Sequence, residues 1–91
     1  MSARAPISVV IPALNAAETL PATLAALAPA AVEGLVREVI LVDGGSDDAT
    51  RATAEAAGAR VIETAPGRGG QLAEGAAQAR GDWLLFLHAD T

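Results

Sequence analysis

The sequence predicts an α/β fold built on a parallel sheet, and three observations carry that prediction. Short apolar strand-like runs alternate with helical segments along the whole chain. The runs show no polar alternation, which marks strands covered on both faces. Polar residues and glycines gather after the runs rather than before them. In a sheet whose strands all point one way, those residues share a single edge.

The first run, residues 7–11, is apolar and β-branched around Ser8 and is closed by Pro12. Asn15 and Glu18 have capping-box spacing. A helix starting at Ala16 would nevertheless lose an internal hydrogen bond at Pro21. A start near Thr19 puts Pro21 in the first turn, where its missing N–H does no harm. Leu20, Leu24 and Leu27 then share one helical face. Pro29 ends that helix, and residues 30–37, with Gly34, form a connection. The second strand, 39–42, stops abruptly at Asp43, Gly44 and Gly45, after which Ser46 or Asp47 caps the next helix. That helix covers 48–57; acids at its start suit its dipole and Gly58 ends it. A third strand, 60–63, leads into a glycine-rich loop over 64–70 that contains Pro66 and Arg68. A third helix over 71–79 and a fourth strand over 83–87 follow, ending in His88-Ala89-Asp90-Thr91. Trp83 and the leucines are assigned to the core. Right-handed crossovers between successive parallel strands place helices on both faces of the sheet.

Composition narrows the function. At 91 residues the chain is one small domain or part of a larger one, reading as one unit over 1–91. Net charge is −5 and the six basic residues, all Arg, are scattered, which excludes the clustered basic face of a nucleic-acid binder. Without Cys there is neither a disulfide framework nor a thiolate metal site. No apolar stretch approaches the ~20 residues that span a bilayer. The start is too short and polar for a secretory signal, so the expected place is the cytoplasm, with peripheral membrane association open.

The sheet edge that follows the strands gathers 12–15, 43–48, 64–70 and 88–91. Asp43 and Asp90 end separate strands, placed to accept hydrogen bonds from a base or ribose or to hold a hard cation. Arg68, ahead of a helix N-terminus, suits a phosphate, because backbone N–H groups and the dipole favour an anion there. Acids around a phosphorylated ligand require a divalent cation, and Mg²⁺ commonly takes only one or two protein carboxylates beside phosphate oxygens. The combined expectation is a metal–nucleotide site.

Four pieces in register carry a family resemblance: Val9-Val10-Ile11-Pro12-Ala13-Leu14-Asn15, residues 38–50, residues 67–69 through 79–82, and Leu85-Phe86-Leu87-His88-Ala89-Asp90. The chain resembles family 2 glycosyltransferases over nearly its whole length. The resemblance implies the Rossmann-like GT-A fold, of which this is the nucleotide-binding half, with strand order 3-2-1-4. It also implies inverting transfer of a sugar from a nucleoside diphosphate, most often UDP, assisted by Mg²⁺ or Mn²⁺ and directed to an unknown acceptor, a lipid-linked one included. Pro12, Ala13 and Glu18 would lie near base and ribose, and Asp43 would hydrogen-bond the nucleobase. Arg68 would sit near the nucleotide with Gly44 and His88, and Asp90 would bind the metal.

Two positions depart from the family pattern. Gly44 stands where a second acid is frequent, and His88 replaces the first acid of the DxD motif. The ending 87–91 is similar to a bacterial subgroup, the selenodomain-associated transferases, in which this His-Ala-Asp variant occurs. The family's general base falls beyond residue 91, so no catalytic base is named. The chain therefore reads as the amino-terminal part of a longer enzyme.

Blander roles stand beside these. Asp43, Asp47 and Asp48 suit helix capping, Arg68 a solvated loop charge, His88 a local hydrogen bond, and Asn15 a turn tie. A nucleotidyltransferase is an alternative, although 13–17 lacks the basic glycine-rich loop such enzymes carry after their first strand. A non-catalytic nucleotide-binding or partner-docking module is another, favoured by the short chain and by Gly44 and His88. A dinucleotide site is weaker, because Gly67-Arg68-Gly69 follows the third strand and Leu72 stands where a small residue belongs.

Overall fold

A computed structural model describes residues 5–89. It contains β1 (Ile7–Ala13), α1 (Leu20–Val32), β2 (Val36–Asp43), α2 (Thr50–Ala56), β3 (Arg60–Glu63), α3 (Arg68–Gln78) and β4 (Trp83–Phe86). All strand pairs are parallel, in the order β3-β2-β1-β4. This is the order that the family resemblance implies.

The uninterrupted apolar runs have a direct cause. Side chains alternate across a strand, and here both faces are covered. Val9, Ile11 and Leu41 pack with Leu20 and Leu27 of α1 and Ala54 of α2 on one side. Val10, Ile40 and Val42 form a second cluster on the other side, where α3 lies. The helix comes so close that a Cβ on Gly75 would stand 2.3 Å from Val10 Cγ1 and 3.0 Å from Val42 Cγ2.

Several element boundaries and one core assignment depart from expectation. Pro12 does not close the first strand, which runs on to Ala13. Val10 O accepts from Leu87 N, so the alternate residue Pro12 faces the same side, beyond the end of β4, where the N–H that proline lacks would have had no strand partner. Pro29 does not end α1 either. It lies on the exposed face, where the carbonyl left without its donor is open to water. The second helix starts at Thr50, so neither Ser46 nor Asp47 caps it. Gly58 does end it, at φ +88 and with its N–H on Glu55 O. Trp83 is not core: it is 70% exposed, with Leu84, Leu85 and Phe86 each more than 40% exposed. The helices cover β1 and β2, whereas β4 is an edge strand paired with β1 alone among the described elements.

At the rim opposite the strand ends, Glu38 ties the start of β4 to the sheet. Its Oε2 accepts from Ser8 Oγ at 2.7 Å and from Arg80 N at 2.6 Å, and Ser8 Oγ in turn accepts from Gly81 N at 2.8 Å. Arg60 stands 3.7 Å from the other carboxylate oxygen. Burial alone would raise the Glu38 carboxyl. The hydrogen bonds from Ser8 and Arg80, with the Arg60 and Arg80 charges, hold it below its ordinary value of 4.5. No helix among the described residues is long and apolar enough to cross a membrane.

Two measurements check this packing. Gly75→Ala should lose about 1–3 kcal/mol in urea unfolding through overpacking. Gly70→Ala on the same helix, where a Cβ meets nothing within 4 Å, should be neutral or gain up to about 1 kcal/mol. A carboxyl held below its ordinary value stabilises the fold fully above that value and ceases to do so as pH falls through the lowered one. Stability should therefore decline with acid below pH 4.5, and Glu38→Gln should flatten that limb of the profile.

Candidate functional site

The strand ends are joined by two hydroxyl relays. The carboxylate of Asp43, fully buried, accepts from Gly45 N at 3.2 Å, from Ser46 N at 3.0 Å, and from the Ser46 hydroxyl. That hydroxyl, its proton spent on Asp43, accepts from Asn15 N at 2.8 Å. Four residues further on, the Thr50 hydroxyl donates to Asp48 and accepts from Ala16 N at 2.9 Å. Asp48 also accepts from Ala17 N at 3.1 Å and Thr50 N at 2.9 Å. Three consecutive N–H groups ahead of α1 thus find side-chain acceptors on the β2–α2 loop and the first residue of α2.

Asn15 closes the stitch from its own side. It adopts φ +52, a left-handed conformation that Asn tolerates better than most residues, and its Oδ1 accepts from Asp47 N at 2.7 Å. The tie expected of Asn15 is present, reaching across to the neighbouring loop. The hydrogen bond from the Thr50 hydroxyl, helped by the Thr50 and Ala17 N–H groups, holds the Asp48 carboxyl below its ordinary 3.8. Asp48 is accordingly a stable anion at neutral pH.

These stitches shape one wall of a cleft of about 670 Å³ at the edge where the strands end. Pro12, Ala13 and Glu18 line it from the β1 side, with Asp48 beside them. Gly67 and Arg68 line it at the start of α3, and Ala89 closes it after β4. The glycine-rich loop is shorter than expected. Gly67, at φ +139, turns the chain so that α3 begins at Arg68, which puts that guanidinium on the first turn of the helix. Ala89 is buried, and its carbonyl accepts from Thr23 Oγ1 of α1 at 3.0 Å. His88, just before it in the chain, is exposed. Asp90, the expected metal ligand, lies outside the described residues.

Asp43 and Gly44 sit behind this wall and do not line it. Arg51 of α2 explains how a buried carboxylate is tolerated: its Nε lies 3.8 Å from Asp43 Oδ2, while its Nη1 binds Glu63 at 2.8 Å. Gly44 has a packing reason. A Cβ there would come within 3.1–3.2 Å of the Gln71 amide, which is buried in the first turn of α3. Sequence reasoning missed Arg51 and Gln71. For Ser46, Asp48 and Thr50 a signal existed, since short polar side chains at every second position of a loop are apt to satisfy neighbouring N–H groups. Among the described residues no group of three or more His, Cys, Asp or Glu could hold a metal ion.

Asp43→Ala should strand the buried N–H of Ser46, remove the acceptor of the Gly45 N–H, and leave Arg51 without its inner partner. A loss of about 2–4 kcal/mol in urea unfolding is expected. Asp47→Ala, which keeps the backbone N–H that binds Asn15, should change stability by no more than about 0.5 kcal/mol.

Comparison with known proteins gives the arrangement a context. The family described as Glycosyl transferase family 2 matches residues 8–91. The chain is 40% identical over 93 residues to the glucosyl-3-phosphoglycerate synthase of Mycolicibacterium paratuberculosis, covering 92% of this chain and 28% of that protein. It is 40% identical over 90 residues to a PGL/p-HBAD biosynthesis glycosyltransferase of Mycobacterium bovis, covering 91% and 34%. The crystal structure of glucosyl-3-phosphoglycerate synthase from Mycobacterium tuberculosis in complex with Mn²⁺ and UDP-glucose superposes with a TM-score of 0.83 at 38% identity, covering 93% of this chain and 33% of that one. The chain thus spans about a third of the length of the relatives it matches.

Proposed function

The chain belongs to glycosyl transferase family 2, and on that premise we propose that its cleft holds the nucleotide of a nucleoside-diphosphate sugar, UDP-linked, in an enzyme that transfers the sugar with inversion. The carrying observation is the position of Arg68. It stands on the first turn of α3 and faces, across one cleft, the turn after β1 and the end of β4. Guanidinium, helix dipole and free N–H groups together favour a diphosphate at that point. Pro12, Ala13 and Glu18 border the space left for base and ribose. Asp43 and Gly44 hold the wall from behind, so a base that reaches Asp43 must share oxygens already engaged by Gly45 and Ser46.

The metal fits this reading in its donor chemistry. A cation bridging a diphosphate needs only one or two protein carboxylates, and the anchored Ala89 carbonyl fixes where the chain passes the cleft just before Asp90. Mg²⁺ or Mn²⁺ held by Asp90, with His88 as neighbour, would supply Lewis acidity to the leaving diphosphate. The Mn²⁺ and UDP-glucose complex of the mycobacterial relative makes UDP-glucose the first donor to try. The His-Ala-Asp ending supports placement in the selenodomain-associated subgroup, and a cytoplasmic location is part of the same proposal. Gly44 no longer counts toward a non-catalytic module, since the Gln71 amide accounts for it.

Calorimetry on the full-length protein with UDP, GDP and CDP, with and without Mn²⁺, tests the proposal. Metal-dependent binding of UDP is expected, and binding of no nucleotide would reject it. Arg68→Ala should weaken UDP by about tenfold, in line with the loss of one charge-assisted contact, and leave uridine unchanged. Turnover of UDP-glucose separates enzyme from module: binding without transfer would favour the module.

A further inference from the structure

We infer that Gln71 sets base specificity in this cleft, its amide oxygen accepting the ring N–H of a uracil-type base. The inference rests on the nucleotide-site reading above. Gln71 lies in the first turn of α3 and is 5% exposed. Its Nε2 donates to Ala13 O at 3.1 Å and Val42 O at 2.8 Å, carbonyls at the ends of the adjacent strands β1 and β2. Two carbonyl neighbours leave no freedom in the amide: the nitrogen must face them, so the oxygen faces away.

That oxygen receives no hydrogen bond from any described residue. Among the described residues no side-chain nitrogen or oxygen is both sealed from solvent and without a partner. The oxygen is therefore reachable, and the space it opens on is the cleft that Gln71 lines with Pro12, Ala13 and Arg68. Gly44 makes the arrangement possible, since a Cβ there would stand 3.2 Å from the same oxygen and its carbon, tighter than ordinary contact.

An amide oxygen only accepts. A base presenting N–H at its ring edge satisfies it, as uracil does. Cytosine, with a bare nitrogen at the same place, sets acceptor against acceptor and leaves a buried group unpaired. Sites built in this way reject the wrong partner more strongly than apolar ones do. Gln71 thus does two jobs with one group: the nitrogen joins β1 to β2 and the oxygen reads the base.

The test compares UDP with CDP by calorimetry in the presence of Mn²⁺, in the full-length protein and in Gln71→Met and Gly44→Ala. Wild type should prefer UDP by about tenfold or more, the equivalent of one good hydrogen bond gained or lost. Gln71→Met should bring the two ligands within about twofold. Gly44→Ala, which only crowds the amide, should narrow the preference, and it carries the test by itself if Gln71→Met does not fold. A UDP preference that survives both substitutions overturns the assignment, as does a wild type that binds the two equally. A wild type that binds neither removes the nucleotide site itself, so the two failures are told apart.

Discussion

The buried carboxylate of Asp43 is the constraint on which this edge of the molecule depends. An unpaired charge in such a place would cost several kcal/mol. Gly45, Ser46 and Arg51 meet that cost locally. In doing so they fix the Ser46 hydroxyl, which fixes Asn15 and with it the turn after β1. A parallel sheet leaves its strand ends splayed, with loops that share no backbone ladder. Here hydroxyl and carboxylate groups replace the ladder, and the wall of the cleft inherits their rigidity.

The same logic sorts what was legible in the sequence from what was not. The uninterrupted runs 7–11 and 39–42 declared strands covered on both faces, and the two clusters on either side of β1 and β2 are the outcome. Leu20, Leu24 and Leu27 declared the buried face of α1. The gathering of polar residues after the strands declared the edge that carries the cleft. Each of these signals is local or periodic, so one pass along the chain suffices to read it.

What escaped depends on partners far apart along the chain. Gly44 looked like a missing acid until Gln71 was seen lying over it. Nothing along the chain singled out Arg51 until the fold brought Asp43 beside it. Trp83 looked like core because large aromatic residues usually are, yet no described helix covers β4. Pro29 looked like a stop signal, but a proline on the wet side of a helix costs less than one facing the sheet. Rules of composition carry no knowledge of which face or neighbour tertiary structure will supply.

The strand order also bears on how the chain acquires its shape during synthesis. Of the four described strands β1 leaves the ribosome before the others and ends up between β2 and β4, its second neighbour the latest of the four to arrive. Parallel neighbours demand a crossover each, so no early hairpin can shelter β1 while it waits. The nascent chain must therefore carry an apolar ribbon, Val9-Val10-Ile11, half-mated until the fourth strand emerges. Slow, late closure of this kind makes chaperone assistance during translation more valuable here than in a helical bundle of the same length.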